Sequence, residues 1–260
     1  MRSLRAAVVG GGCAVALAAC SLLPGSGSGG DTGSPTGSGT TATSSADPSS
    51  GSGDDVGTVT GPGRPMDEGG LRAALPSAGD VGEGWVDDER PTVSEAQAGD
   101  VTPSSCAPLL QKGPGWDKVQ RTERARVQAN FARADNPPPP GSERHHLGMW
   151  VYSFDDPYPS RLFDEAGELV AECPSFDFRQ ADTGNTSSYE VEPLTFPALG
   201  DRTVAFRLKI QQTLETMTMD FVVVKVGHNT VSVANGAYNG TPDTGVTERA
   251  ARSVLSGLEE

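Results

Sequence analysis

The sequence predicts an α+β fold, one antiparallel β-sheet with flanking helices, built as a single domain behind an export leader and a structureless tether. Three observations lead to it. All 15 aromatic residues lie at or after Trp85, so only the later part of the 260-residue chain has the side chains for a large core. Several stretches after Ser187 alternate apolar and polar residues with period two, as strands with one buried face do. Arg161–Cys173 and Thr244–Leu258 instead repeat apolar residues at three and four, the helical spacing.

In chain order, Met1–Arg5 carries two positive charges, Ala6–Ala19 is apolar, and Leu17-Ala18-Ala19-Cys20 closes the run with small residues. A bilayer takes roughly 20 apolar residues to span. This run is shorter, and a basic flank with a small-residue cleavage site marks an export signal. Residues 1–19 are therefore expected to leave as a signal peptide. Cys20 is placed like the lipid acceptor of bacterial lipoproteins, which holds the mature chain on the outer face of the cytoplasmic membrane through acyl chains such as palmitate. Residues 20–66 follow as the lipidated cysteine and its tether. In residues 21–66, 34 of 46 positions are Gly, Ser, Thr or Pro, too little apolar surface to offset ordering entropy. Such a coil reaches roughly 35–40 Å.

Residues 67–260 form the predicted domain. A short helix is expected over Met66–Leu75, with Asp67 and Glu68 favouring its first turn and Pro76 stopping it. A Gly-rich turn at Asp80–Gly84 leads to a strand from Trp85 to about Thr92. Ser104 and Ser105 are placed to cap a helix over Cys106–Gln111. Ala125–Ala132 alternates Val127, Ala129 and Phe131 against Arg126, Gln128 and Asn130, a half-buried strand. The proline run in Asn136–Gly141 makes a surface loop, and a strand returns at His146–Phe154. After the helix at Arg161–Cys173 the period becomes two. Ser187–Phe196, Arg202–Gln212, Thr216–Val226 and Thr230–Ala237 read as a four-strand meander, with Gly227-His228-Asn229 as a tight turn. Val222-Val223-Val224 is apolar on both faces, which suits a central strand. The helix at Thr244–Leu258 is expected to lie back on the sheet.

The charge balance is 20 Lys+Arg against 34 Asp+Glu, a net charge of -14, which argues against nucleic acid as a partner because phosphate binding needs clustered cations. Cys13 leaves with the leader and Cys20 takes lipid, so Cys106 and Cys173 remain to form a disulfide in an exported domain. No hydrolase, zinc-protease, Ca²⁺-loop or nucleotide-loop motif occurs, and neither a metal nor a cofactor is expected. His145 and His146 are adjacent on a strand and point to opposite faces, a poor metal pair. They read as solvated residues, as does His228 in its turn. Asp155-Asp156 and Asp87-Asp88-Glu89 are where a carboxylate-pair hydrolase would keep its acids. Trp150, Tyr152 and Phe154 share one strand face and are the candidate wall of a cleft for an apolar or sugar-like ligand.

The order Asp80-x-x-x-Gly84-Trp85, then Cys106 followed by Leu109-Leu110, a helix ending at Cys173-Pro174, and Leu199-Gly200-Asp201 before paired strands resembles the extracellular sensor domain of the mycobacterial Ser/Thr kinase H (PknH-like) family. That family also occurs on free-standing actinobacterial lipoproteins. The resemblance covers residues 67–260 and implies an antiparallel sheet with flanking helices and a ligand cleft. The kinase sensor has two disulfides and this chain has cysteines for one, and no assigned catalytic residues of the family map here, so only the Cys106–Cys173 link carries over. The expected function is therefore binding: an extracellular lipoprotein, not an enzyme, that captures a small molecule, a cell-wall component or an envelope protein. A carboxylate-pair hydrolase and a pocketless interaction protein are the rival readings.

Overall fold

A computed structural model describes residues 63–89, 99–110, 118–134, 143–211 and 215–259. The leader, Cys20, the tether up to residue 62 and the proline run after residue 135 lie outside them. Four α-helices are described: α1 (Glu68–Ala73), α2 (Ala78–Val81), α3 (Ser160–Glu172) and α4 (Thr244–Glu259). Nine strands accompany them: β1 (Trp85–Asp87), β2 (Gly99–Thr102), β3 (Glu123–Arg133), β4 (Arg144–Phe154), β5 (Ser175–Gln180), β6 (Thr186–Pro193), β7 (Arg202–Gln211), β8 (Thr216–Val226) and β9 (Asn229–Tyr238). They form one sheet in the order β1-β3-β4-β9-β8-β7-β6-β5-β2, antiparallel throughout.

The predicted meander is present as β6 to β9, and β9 also pairs with β4, which brings the β3–β4 hairpin into the same sheet. β8 is apolar on both faces because both are covered. Met217, Met219, Phe221 and Val223 join the core beneath α3, whereas Val222, Val224 and Val226 join the core beneath α4. On α3, Leu162, Phe163, Ala166, Leu169 and Val170 are buried. On α4, Val246, Ala250, Val254 and Leu258 are.

Local chemistry sets the helix ends. Asp67 caps α1, its carboxylate accepting from Gly70 N at 2.8 Å. Ser77 and Asp80 form a capping box on α2, and those hydrogen bonds lower the Asp80 pKa. Asp243 Oδ1 accepts from Gly245 N at 2.9 Å at the start of α4. Asn235 on β9 donates to Asp243 O at 3.0 Å and Thr247 Oγ1 at 3.1 Å, fixing that end to the sheet.

Three sequence expectations are corrected. The helix expected over Cys106–Gln111 is a 3₁₀ helix at Ser104–Leu109, since Pro108 inside it lacks the N–H an α-helix uses. The strand from Ser187 stops at Pro193 rather than Phe196. His228 is only 8% exposed, with Nδ1 3.0 Å from Phe154 O, so it is a buried turn residue. β2, β5 and α2 were not expected.

α1 and α4 cross closely at Gly257, where a Cβ would lie 2.6 Å from Ala74 Cα and 2.9 Å from Ala74 O. Backbone cannot yield as a side chain can. Gly257→Val is therefore expected to lower stability by about 1–3 kcal/mol, read as a fall in thermal midpoint; an unchanged midpoint would mean the helices separate freely.

Candidate functional site

The face of the sheet beneath α3 divides in two. α3 packs on β6 and β7, and the other half is built from β3, β4 and β9. On β4, Trp150, Tyr152 and Phe154 alternate onto this face, as the sequence indicated. Phe154 is fully buried and begins an aromatic chain, with ring centroids 5.3 Å from Tyr158, which is in turn 5.3 Å from Phe163. Tyr152 stacks on Phe154 at 6.3 Å, and both Tyr152 and Trp150 are half-buried. Burial raises the Tyr152 pKa, and the nearby Arg126 charge partly opposes that. The strip thus runs from core at Phe154 to accessible surface at Trp150.

Strand register supplies its neighbours. Gln128 and Ser232 stand across from Trp150, and Arg126 and Thr230 across from Tyr152. Further along, Gly148 and Ala234 are opposite each other and small. Beyond them His146 meets Tyr238 edge-on at 6.1 Å, Arg144 lies 4.3 Å over the Tyr238 ring, and Glu215 pairs with Arg144 at 2.6 Å. Asp88 reaches His146 at 3.8 Å. The sequence did not group these residues, because Asp88 lies just after β1 while His146 and Tyr238 lie on β4 and β9, elements brought together only through long-range pairing.

The remaining candidates fall elsewhere. Cys106 and Cys173 form a disulfide with a Cα–Cα separation of 5.8 Å, linking the 3₁₀ helix to the end of α3. His145 lies 3.0 Å from Glu143, apart from His146. Asp155 and Asp156 are exposed, and Asp155 faces Arg124 at 3.3 Å. Among the described residues no group of His, Cys, Asp and Glu is arranged to hold a metal ion.

A cleft of about 480 Å³ lies on the α3 side, between that helix and the β6–β7 connection. Its walls are Val170, Leu194, Phe196 and Val204, and one end is polar, with Asp201 and Arg202. Asp201 Oδ2 accepts from Gly227 N at 2.7 Å and Lys225 Nζ at 3.0 Å. These bonds lower the Asp201 pKa, the Gly227 N–H contributing most.

An open antiparallel sheet clad by helices on both faces, with a disulfide at the end of one helix, defines an α+β domain. The particular fold is that of the PknH extracellular domain. The crystal structure of that domain from Mycobacterium tuberculosis superposes with a TM-score of 0.50 at 15% identity, covering 76% of this chain and 100% of that one. A putative uncharacterized protein from Mycobacterium smegmatis is also similar, with a TM-score of 0.43 at 14% identity over 71% of this chain and 97% of that one. Neither a family model nor a curated protein matches the sequence. Among the described residues no helix is long and apolar enough to cross a membrane.

Proposed function

We propose that the protein is a lipoprotein, anchored through Cys20 to the outer face of the cytoplasmic membrane, whose domain binds a small molecule, a cell-wall component or an envelope protein without acting on it chemically. The observation that carries this reading is the strip at Trp150 and Tyr152. Two half-buried aromatic side chains beside the polar side chains of Gln128 and Ser232 suit a sugar-like or amphipathic ligand, since aromatic faces supply area and the polar groups supply orientation. The likeness to a kinase's extracellular domain supports the placement outside the cell, and the basic, apolar and Leu-Ala-Ala-Cys sequence at the N-terminus supports the anchor.

Mass spectrometry of the full chain recovered from membranes tests both halves. Under denaturing conditions the mature chain is expected to keep a covalent diacylglycerol addition on Cys20, and Cys20→Ser to move the protein to the soluble fraction. Under native conditions a further, non-covalent mass is expected, and Trp150→Ala should reduce its occupancy by tenfold or so, as loss of a central tryptophan does. A bare native mass together with a membrane-bound Cys20→Ser protein would overturn the reading.

A further inference from the structure

The cleft beside α3 opens next to the point where the chain joins the domain. Residues 63–66 form a strap. Gly63 O accepts from His228 N at 2.9 Å, Arg64 O from Asn229 Nδ2 at 2.9 Å, and Met66 N donates to Ser153 Oγ at 2.7 Å. Gly227, in the left-handed region at φ 56°, backs directly onto Gly63; a Cβ there would lie 2.4 Å from the Gly63 carbonyl oxygen. The same Gly227 donates its N–H to Asp201, at the polar end of the cleft. The polar end and the strap therefore meet at one hairpin turn.

Away from Asp201 and Arg202 the lining of the cleft is mainly apolar. Gly167 and Ala171 keep the helix flank low beside Val170, and a Cβ on Gly167 would meet nothing within 4 Å. At the polar end Arg202 is about half exposed, donates to Asp201 O at 3.0 Å, and has Nε 3.5 Å from the Asp164 carboxylate. That separation is too long for a strong hydrogen bond, so an incoming anion can displace Asp164. The volume falls within the range of small-molecule pockets, roughly 300–1,000 Å³.

We propose that this cleft takes the acyl chain of a single-chain amphiphile with an anionic headgroup, drawn from the membrane, with Arg202 pairing with the headgroup. The source of the ligand rests on the lipid-anchor reading; the site itself does not. Hydrocarbon burial makes affinity rise roughly fourfold per added methylene until the cleft is filled.

The test is calorimetric titration of the full mature chain carrying Cys20→Ser, so that its own lipid does not compete, with laurate, myristate and palmitate below their aggregation concentrations. Saturable binding that strengthens with chain length is expected. Gly167→Trp fills the cleft while replacing an unfavourable helical glycine, so it should weaken palmitate at least tenfold without lowering the thermal midpoint. Arg202→Glu should weaken palmitate several-fold and leave hexadecanol unaffected. Absence of saturable binding, or binding that Gly167→Trp leaves unchanged, would overturn the site. Equal affinity for palmitate and hexadecanol would overturn the role of Arg202. A wild-type chain with no lipid on Cys20 but intact palmitate binding would sink the anchor reading alone.

Discussion

Asp220→Ala is expected to cost the domain about 3–5 kcal/mol, the loss seen when one partner is removed from a buried ion pair. Asp220 sits on β8 with no exposed surface, facing α4. Its carboxylate accepts from Arg207 Nε at 2.6 Å, from Arg207 Nη2 at 3.0 Å and from Thr244 Oγ1 at 2.7 Å. That bidentate pairing raises the Arg207 pKa above its ordinary value. Trimming the carboxylate leaves a mostly buried guanidinium without its counter-charge and the hydroxyl of Thr244, the first residue of α4, without the acceptor for its proton, though Thr244 Oγ1 still accepts from Arg207 Nη2 at 3.3 Å. Asp220→Asn keeps an acceptor and should cost less, and Arg207→Met with Asp220→Leu should recover much of the loss. Denaturant midpoints distinguish these outcomes. A loss of about 1 kcal/mol or less for Asp220→Ala, the worth of an exposed pair, would show that water reaches the cluster.

Cys173→Ser is expected to lower stability by about 2–5 kcal/mol, the usual range for removing a native disulfide. The link joins residues 67 apart in sequence, so its loss enlarges the unfolded ensemble considerably. Both cysteines are buried, Cys106 at 0% and Cys173 at 2% exposure. The 3₁₀ helix they fasten has little apolar surface of its own, and it should be the first part to gain hydrogen exchange in the variant. The experiment is urea unfolding of the oxidised wild type, reduced wild type and Cys173→Ser chains in parallel. Reduction and substitution should agree, and a reduced protein as stable as the oxidised one would contradict the role given to the link.

The parts of the fold that were legible in the sequence are those whose signal is local. β8 declared itself because Val222, Val223 and Val224 are apolar on both faces, and α3 because Leu162, Phe163, Ala166, Leu169 and Val170 recur at helical spacing. β2 was not legible, since Val101 is its only buried residue and four residues carry no period. β5 did carry a signal, Phe176 and Phe178 buried between exposed neighbours, but it is short and follows a helix closely. The alternation of Trp150, Tyr152 and Phe154 fixed their shared face and could not say which end is covered; that depends on Tyr158 and Phe163 folding back over Phe154. The cleft beside α3 had no sequence mark, because Gly167 and Phe196 meet only through the tertiary packing of a helix on a distant connection.

The strap at residues 63–66 determines where mechanical load enters the molecule. Any pull transmitted along the preceding chain arrives at Gly63 and Arg64, and their hydrogen bonds pass it to the β8–β9 turn. Those two strands are the innermost of the sheet in burial and are paired on both sides. Strain is thus shared across the most heavily supported ladders instead of peeling a strand from the rim. A domain gripped at its centre in this way takes a load there without fraying at its rim, and the missing side chain at Gly227 is what lets the strap lie against the turn.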